Sequence, residues 1–375
     1  MKKKRNIIFI SVALTISFII ILLIFLFIIS DKKDFSDTEN RNLRELPSFS
    51  FDRLKSGDFI SEFEEYLADH FPFRNEFMFL KTSVLKFIGQ EKIGELYLAE
   101  DGYLLEEYNV KPSNTKIPIK TLNRFYDELP EGTKMNLMLV PTSVEIYNEK
   151  LPEFSTNTSQ KDVIDFVYDN IKFGGVDVYN VFDKLKDNLK LYYKTDHHWT
   201  TLGAYLGYLS YIVSIGGEFS EAPEFEKVTE EFYGTFYSKL IDNTLETEEM
   251  YKMKDDEIKY IVKNVATNGV TNSLYEEKWL NEKDKYSYFL GQNQALLEIE
   301  NKSNQNGKKI VVIKDSYANA MIPFIARDYQ YVSVIDPRMY KLKISDYIKQ
   351  NAIDEVLLVY NMKTVETDLG ISSIR

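Results

Sequence analysis

The stretch KTDHHWTTLG, residues 194–203, carries two of the three histidines in a 375-residue chain, directly after an aspartate. Imidazole is the side chain that exchanges protons near neutral pH. A carboxylate that holds one ring nitrogen leaves the other to take a proton, and Asp196-x-His198 places such a pair within one short loop. The competing reading is a helix start, capped by Thr200 or Thr201, with histidines on the surface. Two such groups clustered in a histidine-poor chain favour a site. Metal ligation by Asp196, His197, His198 and His70 is another alternative. Adjacent histidines rarely reach one ion together and no HExxH spacing is present, so no metal or other cofactor is expected.

A nucleophile for this pair stands in KKIVVIKDSYANAMIPFIA, residues 308–326. The run Ile310 to Ile313 reads as a buried strand, and a helical pattern follows it. Ser316 then falls at the carboxyl end of a strand, where ligands bind in open α/β sheets. It also falls at a helix start, whose backbone N–H groups favour an oxyanion. An ordinary Ser N-cap would give the same pattern. Pro323 should kink or shorten the helix. In DEVLLVYNMKT, residues 354–364, a third buried strand ends at Asn361, whose amide is a candidate oxyanion donor. Arg338, after another strand in VIDPRMY, is a candidate substrate contact, as is Tyr317 beside the serine.

The elements that must position these groups alternate between strand and helix character. Leu137 to Val140, Ile310 to Ile313, Val332 to Ile335 and Val356 to Tyr360 are short apolar runs of strand length. Asp162 to Phe173 and Leu202 to Val213 have helical spacing, and Gly216–Gly217 stops the second. Runs that are apolar on both faces and separated by helices imply a parallel sheet flanked by helices. Residues 218–285 are acidic and irregular, and read as loops with short elements. Before the main domain, Phe59 to His70 and Phe77 to Ile88 form a helix pair or a kinked helix, interrupted at Pro72.

Hydrophobic residues make up 44% of the chain and the net charge is −12, so a core is affordable and nucleic acid is not an expected partner. The absence of cysteine excludes disulfides and thiolate chemistry. MKKKR precedes an uncharged run from Asn6 to Ser30, long enough to cross a bilayer. The basic cluster should stay in the cytoplasm, with the rest of the chain outside. A cleaved signal peptide is the rival reading, but Ile28-Ile29-Ser30-Asp31 lacks a small-x-small site. The organisation is therefore a cytoplasmic stub (1–5), a transmembrane anchor (6–30), a juxtamembrane linker and helices (31–90) and an extracytoplasmic domain (91–375).

The blocks ADHFPFRNEF (68–77), LAEDGYLLE (98–106), LVPTSVEIYNEKLP (139–152), TDHHWT (195–200) and KDSYANAMIPF (314–324) together resemble the DHHW family. That family is related to the SGNH-hydrolase-like domains of alginate O-acetyltransferases of the AlgX/AlgJ type. The resemblance implies an SGNH-like α/β fold with rotated motif order, because the Asp/His block precedes the serine block here. It implies Ser316 as nucleophile, His198 as base and Asp196 as its orienter, with His197 at the variable position of Asp-x-His-Trp. Asn361 falls where the SGNH asparagine is expected. The serine block of such enzymes usually begins Gly-Asp-Ser, whereas Lys314 stands here in place of the glycine. The implied activity is O-acetylation of a cell-surface or exported polysaccharide, with acyl groups supplied by a membrane-bound O-acyltransferase partner. Two alternatives stay open: an esterase using the same site, and a non-catalytic glycan-binding or assembly protein.

Overall fold

The computed structural model describes residues 2–29, 32–36, 38–39, 41–218, 221–367 and 370–374, and they fall into two compact units. The first unit comprises residues up to 89 together with 238–243. It opens with helix α1, Lys2–Ile29. Within α1, Ile8–Ile29 has a mean hydropathy of 3.3 and no buried residue, so it is long and apolar enough to cross a bilayer. Met1, Ser30 and Asp31, which bound the expected stub, span and cleavage point, lie outside the described residues.

Three further helices follow: α2 (Phe51–Ser56), α3 (Asp58–Asp69) and α4 (Arg74–Phe87). The expected helix pair is thus present as α3 and α4. The break falls at Phe73, which takes a left-handed φ of 60° just after Pro72. Polar residues of the juxtamembrane segment are tied to α3. Arg41 grips Asp69 through both guanidinium ends at 2.8 and 2.5 Å, and the Arg44 N–H donates to the same carboxylate at 2.9 Å. The bonded guanidinium holds the Asp69 carboxyl down to about 2, against the cost of its burial. Residues 238–243 are tied to α4 by Thr82 Oγ1, which donates to Leu240 O at 2.7 Å, and by Lys86 with Asp242 at 2.7 Å. His70 belongs to this unit, where its ring nitrogens meet Tyr66 O and Lys33 O.

The second unit, residues 90–237 and 244–375, is built on an eight-stranded sheet. Its strands are β1 (Lys134–Val140), β2 (Gly174–Gly175), β3 (Tyr260–Asn264), β4 (Gly269–Thr271), β5 (Leu296–Asn301), β6 (Lys309–Lys314), β7 (Tyr331–Ile335) and β8 (Glu355–Asn361). The spatial order is β4-β3-β5-β7-β6-β8-β1-β2. From β7 to β2 every pairing is parallel, with Ile310 opposite Val332 on one side and Val312 opposite Leu357 on the other. Residues 310–313 and 356–359 are completely buried, which is why they read as unbroken apolar runs rather than alternating ones. The unit's longer helices include α5 (Lys116–Asp127), α6 (Gln160–Asn170), α7 (Thr201–Ser214), α8 (Ile322–Asp328) and α9 (Ile344–Gln350). The last two lie on the crossovers β6–β7 and β7–β8, which join parallel strands.

The sheet is mixed rather than wholly parallel. Strands β5, β3 and β4 extend it antiparallel beyond β7. They, and a second hairpin pairing Phe225–Phe232 with Glu248–Met253, arise largely from the segment whose acidity hid its strands. In that hairpin most residues of the first strand face solvent, so charged residues alternate poorly and no period shows. Consecutive connections leave β6 for β7 on one side and then reach β8 on the other. The carboxyl end of β6 is therefore a crevice between diverging chain paths, the position where open sheets bind ligands.

Candidate active site

Ser316 follows β6 directly and begins a 3-10 turn, Ser316–Ala320, not the regular helix its spacing suggested. Pro323 enters near the start of α8, where its missing N–H costs nothing, so the regular helix starts only there. Asp315 caps the turn by accepting the Tyr317 N–H at 2.9 Å. The same carboxylate accepts the Asn361 N–H, the Asn361 amide and the Thr364 hydroxyl at 2.8, 2.7 and 2.7 Å. Burial pushes the Asp315 carboxyl up, and these donors counter it. Asp315 thereby welds the serine turn to the end of β8.

The Asp196 loop is a tight reversal closed by the Tyr192–Trp199 bridge and by Thr200 N–H on Leu191 O at 2.8 Å. Its approach is anchored by the buried Glu248, which accepts the backbone N–H groups of Lys194 and Thr195 at 2.8 and 3.0 Å. Thr200 is the N-cap of α7, its hydroxyl accepting from Gly203 N–H at 3.1 Å. Trp199 is fully buried and donates its indole N–H to Tyr317 O at 2.8 Å. A Cβ on Gly207 of α7 would meet the Trp199 ring at 2.8 Å, so the tryptophan packs on glycine. Tyr317 in turn donates its hydroxyl to His197 O. The two motif loops, more than a hundred residues apart, hold each other.

The resulting geometry is a relay. His198 Nε2 lies 2.8 Å from Ser316 Oγ, and His198 Nδ1 lies 2.6 Å from Asp196 Oδ1. The ionised carboxylate only accepts, so Nδ1 carries the proton and Nε2 faces the serine unprotonated. Asp196 also accepts the His198 N–H at 2.8 Å and, on its other oxygen, the Thr235 N–H and hydroxyl at 2.7 and 3.1 Å. Burial alone would raise the Asp196 pKa, but the two imidazoles and these donors hold it well below the usual carboxylate range. Tyr286 stacks on the His198 ring at 3.6 Å and 9°. His197 has its Nδ1 2.7 Å from Thr235 Oγ1.

A pocket of about 340 Å³ opens over this relay, lined by His197, His198, Tyr286, Asn293, Ser316 and Asn319, among others. A larger cavity of about 650 Å³ borders the same loop from the Lys190 and Glu249 side, but includes none of Asp196, His198 or Ser316. Of the two, only the smaller is lined by both Ser316 and His198. Asp196, His197 and His198 also group closely enough to offer a metal one ligand atom each, but the Asp196 carboxylate already accepts four hydrogen bonds, from His198 and Thr235.

Three expectations are corrected. Tyr317 does not line the pocket as a substrate contact, because its side chain is fully buried and its hydroxyl donates to His197 O. Asn361 does not face the pocket as an oxyanion donor, because its amide donates to Asp315 and to Thr364 Oγ1 at 3.1 Å. Arg338 is clamped on Asp336 at 2.8 and 2.5 Å and does not line the pocket. The Lys314 substitution does not disturb the turn, since the backbone there is ordinary strand with no left-handed φ that would need glycine. Thr235, Tyr286, Asn293 and Asn319 were missed. The first three come from stretches without a clear period, and Asn319 reads as a routine turn residue.

The profile of the DHHW protein family matches residues 87–335, well over half of the chain. A search of curated proteins found no match. Among solved structures, a DHHW family protein from Eubacterium siraeum superposes with a TM-score of 0.65 at 25% identity, covering 74% of this chain and 94% of its own. Bacillus cereus PatB1, solved with a sulfonyl adduct, superposes with a TM-score of 0.60 at 22% identity over 73% of this chain and 97% of its own. The O-acetyltransferase domain of Pseudomonas putida AlgJ gives a TM-score of 0.45 at 13% identity over 75% and 95%. With the DHHW tetrapeptide at 196–199 and the family match extending through β7, the chain belongs to the DHHW family.

Proposed function

We propose that the protein is a membrane-anchored, extracytoplasmic O-acetyltransferase that modifies a polysaccharide through an acyl-serine intermediate. The observation that carries this is the 2.8 Å contact between His198 Nε2 and Ser316 Oγ, with Asp196 behind the imidazole. In the first half-reaction His198 takes the Ser316 proton as Oγ attacks an acetyl carbonyl. The tetrahedral oxyanion collapses, and the leaving alcohol takes the proton from His198. In the second, His198 takes a proton from a sugar hydroxyl as that oxygen attacks the acyl-serine, and Ser316 leaves with the proton returned. Asp196 stays ionised and offsets the imidazolium charge in both halves. Water in place of the sugar makes the same cycle an esterase, so the acceptor admitted by the pocket decides the outcome.

The α1 helix supports the anchored part of this reading, with Lys2 to Arg5 on the cytoplasmic side and the catalytic unit outside. Acetyl groups activated in the cytoplasm would then need a membrane-bound acyltransferase to pass them across. The test uses the full-length chain in detergent micelles with p-nitrophenyl acetate. Ser316→Ala and His198→Ala should each lower turnover by roughly 10⁴-fold or more. Wild-type rates in both variants would remove the assignment.

A further inference from the structure

Lys314 is 1% exposed, and no carboxylate pairs with it among the described residues. A buried ammonium held by neutral amides rather than by a direct ion pair is costly. Its Nζ donates to the side-chain oxygens of Asn293 and Asn319 at 2.6 and 2.5 Å. An ammonium has no acceptor capacity, so the amide atom facing it must be oxygen in both residues. The planar amide then fixes where each NH2 group points. Asn319 directs its NH2 back toward Asn293 Oδ1, at 3.4 Å. The Asn293 oxygen is thus held from two sides, and its NH2 group is turned away from the lysine, in a residue that lines the pocket with Ser316 and His198.

We propose that Lys314 is a positioning residue that aims the Asn293 amide at the acyl oxygen on Ser316, making Asn293 the side-chain oxyanion donor. This rests on the acyl-serine reading above. It fills the role that Asn361 cannot take, because the Asn361 amide is bonded to Asp315 and Thr364. The lysine also places a positive charge two residues from the nucleophile, behind the donor, where an oxyanion develops. Burial pulls the Lys314 pKa down to about 8, while Asp336 and Asp315 raise it and Arg338 lowers it, so the ammonium is retained at neutral pH.

The test measures kcat and KM for p-nitrophenyl acetate with the full-length chain in detergent. Asn293→Ala should lower kcat by roughly 10²–10³-fold with KM within about threefold of wild type. Asn293→Asp is the sharper variant. The new carboxylate pairs with Lys314 and should preserve or raise thermal stability, yet it faces the oxyanion with an acceptor and should lower kcat at least as much. Lys314→Met should lower kcat by about 10–10²-fold, since the asparagine remains but is no longer aimed. Asn293 is only half-buried, so its variants report even where Lys314→Met folds poorly. An active Asn293→Asp, within threefold of wild type, overturns the proposal while an inactive Ser316→Ala leaves the acyl-serine reading intact. An active Ser316→Ala instead overturns the acyl-serine reading itself.

Discussion

Asp196→Asn should disable the relay by a conflict that no amide orientation resolves. All four groups around the carboxylate donate: His198 N–H and Nδ1–H on Oδ1, Thr235 N–H and hydroxyl on Oδ2. An asparagine offers one oxygen and one NH2. With the NH2 toward His198, it opposes a fixed backbone N–H and forces the imidazole proton onto Nε2, where it cannot accept from Ser316. With the NH2 toward Thr235, it opposes the Thr235 N–H instead. Either way one buried donor is unsatisfied, at a cost of about 1–3 kcal/mol. At roughly 2–4 °C per kcal/mol, the melting temperature should fall by about 5 °C. The loss of charge behind the imidazolium, together with the wrong tautomer in the first orientation, should lower kcat by roughly 10³–10⁴-fold. A pH series adds a sign. The folded carboxyl has a depressed pKa, so its stabilisation is complete above the unfolded value near 4 and is lost as pH falls toward the folded value. Wild type and Asp196→Asn should therefore converge in stability as pH drops below about 4. Ester turnover within tenfold of wild type, with an unchanged melt at neutral pH, would refute the reasoning.

Three further outcomes follow from particular contacts. In Gly234→Ala, the added Cβ would sit 2.1 Å from Asp196 Cβ and 2.6 Å from its Cα, so the loop must shift; kcat should fall by about 10–10²-fold, and an unchanged rate would show that the loop yields freely. Tyr286→Ala removes the ring stacked on His198 and should slow turnover about 3–10-fold, whereas Tyr286→Phe, which keeps the ring and loses only the hydroxyl's bonds to the Tyr317 and Ala320 backbone, should stay near wild type. Lys314 gives an alkaline signature: its folded pKa of about 8 lies below the unfolded value near 10.4, so between them the unfolded chain binds the extra proton and stability rises with pH. Urea midpoints at about pH 7 and pH 10 should show wild type gaining roughly 2–3 kcal/mol relative to Lys314→Met, and parallel curves would contradict the burial of a charged lysine.

What the sequence revealed and what it concealed follow from how each residue meets its surroundings. The strands at 309–314 and 355–361 are buried on both faces, so their apolar runs were visible without any partner. His198 and Asp196 were legible because two of the three histidines sit together directly after an aspartate, and Ser316 because it follows a buried strand run. The antiparallel strands β3 to β5 were not, because their polar faces and short lengths give no dominant period. Asn361 sits at the expected strand end, yet whether an amide is available depends on its neighbours, and Asp315 had already taken it. Arg338 was misjudged for the same reason, its guanidinium being held by Asp336 two residues earlier. Lys314 stood out as a departure from a glycine. Only the three-dimensional arrangement shows that its ammonium reaches Asn293, 21 residues upstream.

The central claim, that Ser316 carries the acyl group between donor and acceptor, is tested most directly by acid-quenching the full-length chain during turnover of p-nitrophenyl acetate and mapping its peptides by mass spectrometry. The account predicts one added acetyl group on the peptide containing Ser316, absent from Ser316→Ala. An acetyl group found elsewhere, or none on Ser316 while turnover proceeds, would contradict it.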